Sequence, residues 1–312
     1  MINNGIARIL ISVSDLSESL EFYRDILQMS VVTDNLFESE IIEQLWNLPT
    51  GTTAQSVCLK NDEQTTLLEL IEFQPHSGKY IRTDANIHDY GLFGIAFRAK
   101  NVDAAYNYFQ QQGYKFICPP ITYTPNWVPV TVKEAILFGP NQTPIVLIER
   151  LTEPKPVIKG DFSIILDSAQ FVENLEEVTN FYVDILGMNK VFDQVLPPGM
   201  IDDILQLPAG TQSRMAFINK LGSNSPALEF IECSLKAQYL PEVAKPPNLG
   251  LFAIAFETDN LSALIDKFKT YNIKIISGPL EISSSGNKQV KAITVEGPNR
   301  VNLQFFELRE VD

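Results

Sequence analysis

The chain has 312 residues, of which 45% are hydrophobic and 20% are charged, a globular composition that excludes a disordered or collagen-like protein. Its 24 basic and 38 acidic side chains give a net charge of −14, which repels phosphate backbones and argues against nucleic acid as a partner. We find no apolar run of about 20 residues that would cross a membrane and no basic-then-apolar leader at the N-terminus. The three cysteines are far apart and typical of reduced thiols, so we expect a cytoplasmic protein.

The first 75 residues predict a strand, a helix and three further strands. Residues 5–13 alternate around apolar side chains, which is typical of a β-strand. Asp15 followed by Glu18 is a capping-box pattern and predicts the start of a helix. The apolar side chains of that helix fall on one face: Leu16, Leu20, Tyr23 and Leu27. Strand-like runs follow at 29–34, 53–60 and 65–73, and a short inserted helix is expected at 36–47.

A similar pattern begins again after residue 90. A strand at 92–98 leads to Asn101, a residue type that favours helix N-termini. The helix that follows has apolar and aromatic side chains at Val102, Ala105, Tyr106 and Phe109. More strands are expected at about 131–138 and 144–150, so the first half of the chain contains the unit of strand, helix and strands twice.

The two halves of the chain repeat each other. Residues 22–29 (FYRDILQM) recur as 181–188 (FYVDILGM), with six of eight positions identical at a shift of 159 residues (181 − 22). Four more matches follow in the same order: 48–52 with 207–211, 68–72 with 228–232, 92–97 with 251–256, and 139–141 with 297–299. We predict two domains, 1–152 and 158–312, joined near the prolines of 153–156. Their four units are 1–75, 90–152, 158–235 and 248–312.

These landmarks resemble the vicinal oxygen chelate superfamily, which includes glyoxalases, bleomycin-resistance proteins and extradiol dioxygenases. The matching features are Val-Ser-Asp at 13–15, the helix motif at 22–27, Leu-Glu-Leu on a last strand at 68–70, and a Gly-Pro-Asn turn at 139–141. The resemblance implies an α+β fold of four βαβββ units paired into two open barrels, as tandem glyoxalase/bleomycin-resistance-like domains. We expect the two units of each half to pair around one cavity.

The resemblance also implies a divalent metal, bound by a residue seven positions before the Asp that ends a first strand and by a Glu on a last strand. The first-strand positions hold Arg8, Gly94 and Ala253, and the third unit's position lies within 163–167. The last-strand positions hold Glu69, Val146, Glu229 and Gln304. Apart from the two glutamates, these residues are poor metal ligands, and the two histidines, His76 and His88, lie outside the strands. We therefore predict that the protein has no metal and no cofactor.

Arg8 is the most informative of these positions. An arginine that faces the inside of a barrel needs an anionic partner, and Glu69 occupies the neighbouring position. One interpretation is that the pair binds a polar ligand, with the guanidinium recognising a carboxylate or carbonyl group. The other is that the two side chains only neutralise each other and fill the cavity. In the second half, Glu229 and Gln304 would form at best a weak oxygen site.

The loop at 119–129 is rich in proline and carries two aromatic residues, Tyr123 and Trp127. A stiff aromatic loop loses little entropy on ligand contact, so both residues are candidates for the first half's binding site. The alternative is that they only cover the rim of the barrel. Glu72 and Glu232, three residues beyond the inward positions, are expected to face outward.

The favoured function is a cytoplasmic protein that binds a small organic molecule in a barrel cavity, with or without catalysis and without the usual metal. The candidate ligand-binding residues are Arg8, Glu69, Tyr123, Trp127, Glu229 and Gln304; no catalytic residue is assigned. One alternative is a metal-dependent lyase, isomerase or dioxygenase of the same superfamily. A further alternative is a structural protein with filled barrels. We expect no membrane partner, and a monomer with an internal pseudo-dimer or a homodimer.

Overall fold

The structure, a computed structural model, describes residues 2–37, 39–61, 63–125, 128–284 and 288–310. The first unit contains β1 (Ile2–Val13), α1 (Leu16–Leu20), β2 (Ser30–Phe37), α2 (Ser39–Trp46), β3 (Thr53–Lys60) and β4 (Leu67–Gln74). The second contains β5 (Gly91–Ala99), α3 (Val102–Gln111), β6 (Phe116–Tyr123), β7 (Val132–Phe138) and β8 (Pro144–Arg150).

The second half of the chain repeats this order. The third unit contains β9 (Phe162–Val172), α4 (Leu175–Asn180), β10 (Asn189–Val195), α5 (Asp202–Leu205), β11 (Ser213–Asn219) and β12 (Ala227–Cys233). The fourth contains β13 (Gly250–Thr258), α6 (Leu261–Thr270), β14 (Ile275–Ser284), β15 (Lys288–Glu296) and β16 (Asn302–Glu310). In the first and third units the helix continues into a π-helical turn, at Glu21–Ile26 and Phe181–Ile185. The α+β class and the four βαβββ units are confirmed.

The sixteen strands form two curled eight-stranded sheets. The first sheet has the order β14-β15-β16-β13-β1-β4-β3-β2, and the second has the order β10-β11-β12-β9-β5-β8-β7-β6. The two units within each sheet meet at antiparallel pairs, β1 with β13 and β5 with β9. Within each unit the first strand pairs parallel with the last strand, which places the inward-facing side chains of the two strands next to each other.

The predicted pairing of units within each half is wrong. The first unit shares a sheet with the fourth, and the second shares a sheet with the third. The connection at 75–90 carries the chain from β4 in one sheet to β5 in the other, whereas β8 and β9 remain in one sheet on either side of β5. The repeat shows which units are alike, but each first strand can pair with any of its copies, so the sequence alone does not select the partner.

One large cluster of buried apolar side chains contains residues of both sheets and of both halves of the chain. The helix motif contributes Phe22, whose ring lies 5.6 Å from that of Phe109 on α3. The repeated motif contributes Phe181, whose ring lies 6.3 Å from that of Phe268 on α6. All four are buried in the same cluster, so the helices of one half pack on each other although their strands belong to different sheets. None of the helices in the described part of the chain is long and apolar enough to span a bilayer.

Each unit begins its main helix with the same pair of polar contacts. A side-chain oxygen of the N-cap residue accepts a hydrogen bond from a backbone N–H three residues later; these residues are Asp15, Asn101, Asn174 and Asn260. A glutamate of the last strand accepts a hydrogen bond from the first helical N–H, at Glu72, Glu149, Glu232 and Glu307. Glu72 and Glu232 therefore face away from the cavities, as the strand alternation predicts.

Candidate functional site

Each sheet curls around one cavity. The cavity of the first sheet, here called the Arg8 cavity, has a volume of ≈ 250 Å³ and lies between β1, β4, β15, β16 and α2. The cavity of the second sheet, here called the Asp167 cavity, has a volume of ≈ 210 Å³ and is closed on one side by α5. Because each sheet takes one unit from each half, each cavity is lined by residues from both halves of the chain.

Arg8 and Glu69 form an ion pair on the floor of the Arg8 cavity. Arg8 Nη1 donates a hydrogen bond to Glu69 Oε2 at 2.9 Å, and the guanidinium lies over the ring of Phe306 at 5.0 Å. The Glu69 side chain is only 3% exposed, whereas that of Arg8 is 28% exposed. The carboxylate of Glu69 raises the pKa of Arg8 more than burial lowers it, so Arg8 stays charged. The predicted contact between the two side chains is present.

Gln304 lines the Arg8 cavity, not a cavity shared with Glu229. The prediction that Gln304 and Glu229 share one site is wrong, because β16 joins the sheet of β1 while β12 joins the other sheet. Gln304 is buried and lines the cavity, where its amide oxygen can accept and its nitrogen can donate a hydrogen bond to a bound molecule.

The Arg8 cavity does not suit the divalent metal that the family resemblance implies. Its four metal-ligand positions hold Arg8, Glu69, Ala253 and Gln304. A guanidinium at one of these positions repels a metal cation and already neutralises the one carboxylate. Ala253 is buried and supplies no donor atom.

The Asp167 cavity contains three carboxyl groups and one phenol. Asp167 lies on β9, Glu229 on β12 and Glu134 on β7, and all three line the cavity. Tyr123, at the end of β6, donates a hydrogen bond from its hydroxyl to Glu134 Oε2 at 2.7 Å. Asp167 occupies the metal-ligand position that the sequence placed only within 163–167. Glu134 was not predicted as a site residue, although it is the one charged residue at the start of an otherwise apolar run, 134–138.

Burial in apolar surroundings shifts the pKa of every ionisable group in this cavity. It raises the pKa of Glu134 to about 7, against the smaller opposing effect of the hydrogen bond from Tyr123. Burial and the nearby charge of Glu134 raise the pKa of Asp167 to about 7. The pKa of Glu229 is raised well above its usual value by burial and by Asp167, and that of Tyr123 is raised by burial and by Glu134.

Two predictions about the aromatic loop have different outcomes. Tyr123 was expected beside Arg8 in a cavity of the first half; this is wrong, since the second unit pairs with the third and Tyr123 faces Asp167 instead. Trp127 lies outside the described residues, so its role as a candidate stays a prediction.

The loop histidines lie outside both cavities, with His76 Nδ1 accepting a hydrogen bond from the Gly78 N–H and His88 Nε2 contacting the Lys236 carbonyl oxygen.

The Asp167 cavity also departs from the usual metal site of the family. Its four metal-ligand positions hold Gly94, Val146, Asp167 and Glu229, so two of them supply no side-chain donor. In the described ranges, no three histidine, cysteine, aspartate or glutamate side chains are arranged so that they could bind a metal ion. The residues present therefore do not fit the usual metal in either cavity.

Comparisons with known proteins agree with this architecture. The model of the Glyoxalase/Bleomycin resistance protein/Dioxygenase superfamily matches residues 5–126 and 164–305. Glyoxalase I from Zea mays is similar over 98% of this chain and 92% of that chain, with 14% sequence identity and a TM-score of 0.66. A single-residue mutant of glyoxalase I from Zea mays gives 15% identity, a TM-score of 0.64, and coverage of 97% and 93%. No curated protein sequence matches the chain.

At this level of identity the maize structures show a shared fold and not a shared activity. The family model, by contrast, covers most of both halves, including the strands that carry Arg8 and Asp167. The chain therefore belongs to the Glyoxalase/Bleomycin resistance protein/Dioxygenase superfamily.

Proposed function

We propose that this protein binds a small organic molecule in the Arg8 cavity through a carboxylate or carbonyl group, without the metal that is usual in the superfamily. The observation that carries the proposal is the guanidinium of Arg8 at a metal-ligand position, paired with Glu69 and still partly exposed to the cavity. At this position the fixed positive charge of Arg8, in place of a metal cation, attracts an electron-rich oxygen of the ligand.

The hydrogen-bonding capacity of the cavity floor supports this ligand chemistry. A guanidinium has five N–H donors, and within the described residues Arg8 uses one of them, toward Glu69. The remaining donors can bind a planar carboxylate or carbonyl oxygen. Gln304, which also lines the cavity, adds an amide donor and acceptor.

The walls of the cavity indicate the rest of the ligand. Aromatic and aliphatic side chains surround the polar floor: Leu36, Phe37, Ile41, Trp46, Ile282 and Phe306. Apolar walls with a few polar groups are typical of small-molecule sites, in which the walls bury the body of the ligand and the polar groups orient it. A volume of ≈ 250 Å³ suits a compact molecule. We infer a small carboxylic acid or carbonyl compound with an aromatic or aliphatic body.

A calorimetric and thermal-shift screen tests this proposal. Aromatic carboxylates such as benzoate and phenylacetate are compared with benzyl alcohol, which has a similar body without the acid group. We expect the carboxylates to stabilise the wild-type protein and the alcohol to have no effect at the same concentration.

The matched variants are the double substitution Arg8→Met with Glu69→Leu, which removes both charges, and Gln304→Leu. We expect the double variant to lose carboxylate binding and Gln304→Leu to weaken it. Undiminished binding by the double variant would refute the role of Arg8. Elemental analysis that finds one tightly bound transition metal per chain would refute the metal-free part of the proposal.

A further inference from the structure

The Asp167 cavity has a charge pattern opposite to that of the Arg8 cavity. Three carboxyl groups, on Glu134, Asp167 and Glu229, line it, while its lining in the described part of the chain contains no lysine, arginine or histidine. Carboxylates brought together in an apolar space repel each other and lose their hydration, so they require a compensating positive charge or a proton.

Two basic residues on strands of this sheet are bound to other carboxylates. Lys133 precedes Glu134 on β7, and its ammonium contacts the Asp103 carboxylate on the helix side of the sheet. Arg214 on β11 donates two hydrogen bonds to the Asp193 carboxylate, at 2.8 and 2.9 Å. Tyr123 and the buried thiol of Cys118, both on β6, are also titratable, and neither supplies a positive charge.

Asp167 also has an unused acceptor. The residue is 8% exposed, and its Oδ1 is buried without a hydrogen-bond partner among the described residues. A buried oxygen without a partner is costly, and the cost is larger when the group is charged. Its side chain lines the cavity, so a donor placed there by a ligand would satisfy it.

The other walls of the cavity are apolar. Phe93 lies on β5, Ile148 on β8, Met215 and Phe217 on β11, and Ile204 and Leu205 on α5. They surround a space of ≈ 210 Å³ that holds the body of a compact organic molecule but offers no further ligands to a hydrated metal ion.

We propose that the Asp167 cavity is a second binding site, specific for a small apolar molecule that carries a protonated amine. The ammonium group lies among Asp167, Glu229 and Glu134 and donates to their oxygens, including Oδ1 of Asp167. Tyr123 orients Glu134 through its hydrogen bond, and the apolar walls surround the hydrocarbon part of the ligand. This site is separate from the Arg8 cavity, so it stands whether or not that cavity binds a carboxylate.

Titration calorimetry with probes of equal shape and different charge tests this inference. Benzylamine is the cationic probe, benzyl alcohol the neutral one and benzoate the anionic one. We expect benzylamine to bind to the wild-type protein about tenfold or more tightly than the alcohol, a difference of about 1.4 kcal/mol. Binding of the alcohol with equal affinity would reduce the site to an apolar pocket and overturn the proposal, as would no binding of benzylamine at millimolar concentration.

Substitutions identify the site. Asp167→Asn and Glu229→Gln keep the shape of the side chains and remove one carboxylate each, so each is expected to weaken benzylamine binding about tenfold or more. Asp266→Asn removes the same charge from an exposed position on α6 and serves as the control, with unchanged affinity expected. Equal effects of all three variants would show a non-specific effect of net charge and would refute the site.

A metal titration separates the amine from a cation of another class. Mg²⁺, Mn²⁺ and Zn²⁺ are added as chlorides to the wild-type protein, with and without benzylamine. We expect none of them to displace benzylamine. Displacement by a stoichiometric metal, abolished by Asp167→Asn, would assign the carboxylates to a metal site and refute the amine proposal.

Discussion

At the scale of single residues, Glu69 is much less exposed than Arg8, and this difference determines how each substitution changes the stability of the fold. Glu69 is buried on β4, and its hydrogen bond with Arg8 at 2.9 Å is the contact that compensates its charge. Arg8 keeps contact with the cavity and with the face of Phe306, which holds its guanidinium after Glu69 is removed. Losing the arginine therefore harms the fold more than losing the glutamate.

Arg8→Met is expected to lower the free energy of unfolding by roughly 3–5 kcal/mol, because it leaves a buried carboxylate without a counter-charge. Adding Glu69→Leu is expected to restore most of this loss, since the second change removes the unpaired charge. Urea unfolding of the wild type, both single variants and the double variant gives the interaction energy of the pair. Additive effects of the two substitutions would contradict the structure's ion pair.

A second prediction at this scale concerns Glu134 and the dependence of folding stability on pH. Its pKa is raised from 4.5 to about 7 in the folded protein by burial, so the folded state holds its proton more tightly than the unfolded state. The contribution of Glu134 to stability is therefore complete below pH 4.5 and is lost as the pH rises to about 7. Glu134→Gln removes this dependence while keeping the shape of the side chain.

The variant is expected to gain about 3 kcal/mol in unfolding free energy relative to the wild type between pH 4.5 and pH 8. Urea unfolding at both values measures this difference, which includes the part of the Asp167 and Glu229 shifts that the charge of Glu134 causes. Parallel pH profiles for the two proteins would show that the pKa of Glu134 is not raised.

At the scale of elements, the four repeated glutamates connect the last strand of each unit to its main helix. Glu149 shows the contact at its most buried: its Oε2 accepts a hydrogen bond from the Val102 N–H at 2.9 Å, while Asn101 Oδ1 accepts one from the Ala104 N–H. Together they satisfy two of the N–H groups that a helix leaves free at its start. The carboxylate also opposes the positive end of the helix dipole.

Glu149→Ala is expected to lower the free energy of unfolding by about 1–2 kcal/mol, because the buried Val102 N–H then has no acceptor. Glu149→Gln is expected to cost less, since its amide oxygen still accepts the hydrogen bond and only the charge is lost. The free energies of unfolding of both variants are measured by denaturant unfolding and compared with that of Asn101→Ala, which removes the N-cap. Equal losses for the alanine and glutamine variants would mean that the hydrogen bond contributes nothing.

At the scale of the whole molecule, the local parts of the fold could be predicted and the long-range pairing could not. Strand alternation, helix caps and the repeat depend on neighbours in sequence, and the Arg8–Glu69 contact depends on register within one unit. Which units share a sheet depends on which of several similar first strands pair with each other. Because of this pairing, Gln304 and Tyr123 line different cavities from those that the sequence predicted. For the same reason, Asp167 and Glu229 of the third unit line one cavity with Glu134 of the second unit, a grouping that was not predicted.

This exchange of units means that neither half of the chain can complete a sheet by itself. In residues 1–152, β1 would lose its antiparallel partner β13, and β5 would lose β9. Both are central strands with almost wholly buried side chains, so separation of the halves would expose apolar surface along two sheet edges. The link at 153–157 is exposed on the surface, apart from the half-buried Pro156.

A protease site inserted in the 153–157 link tests the exchange directly. After cleavage, the fragments of about half the chain each are expected to elute together in size-exclusion chromatography, because two central strand pairs and the common core still hold them. Their thermal unfolding is expected to stay a single transition whose midpoint now depends on protein concentration, as for a two-chain complex. The uncleaved insertion variant is the control for damage by the insert itself. Elution of two separate folded monomers after cleavage would contradict the shared sheets, because only units paired within each half could survive the separation.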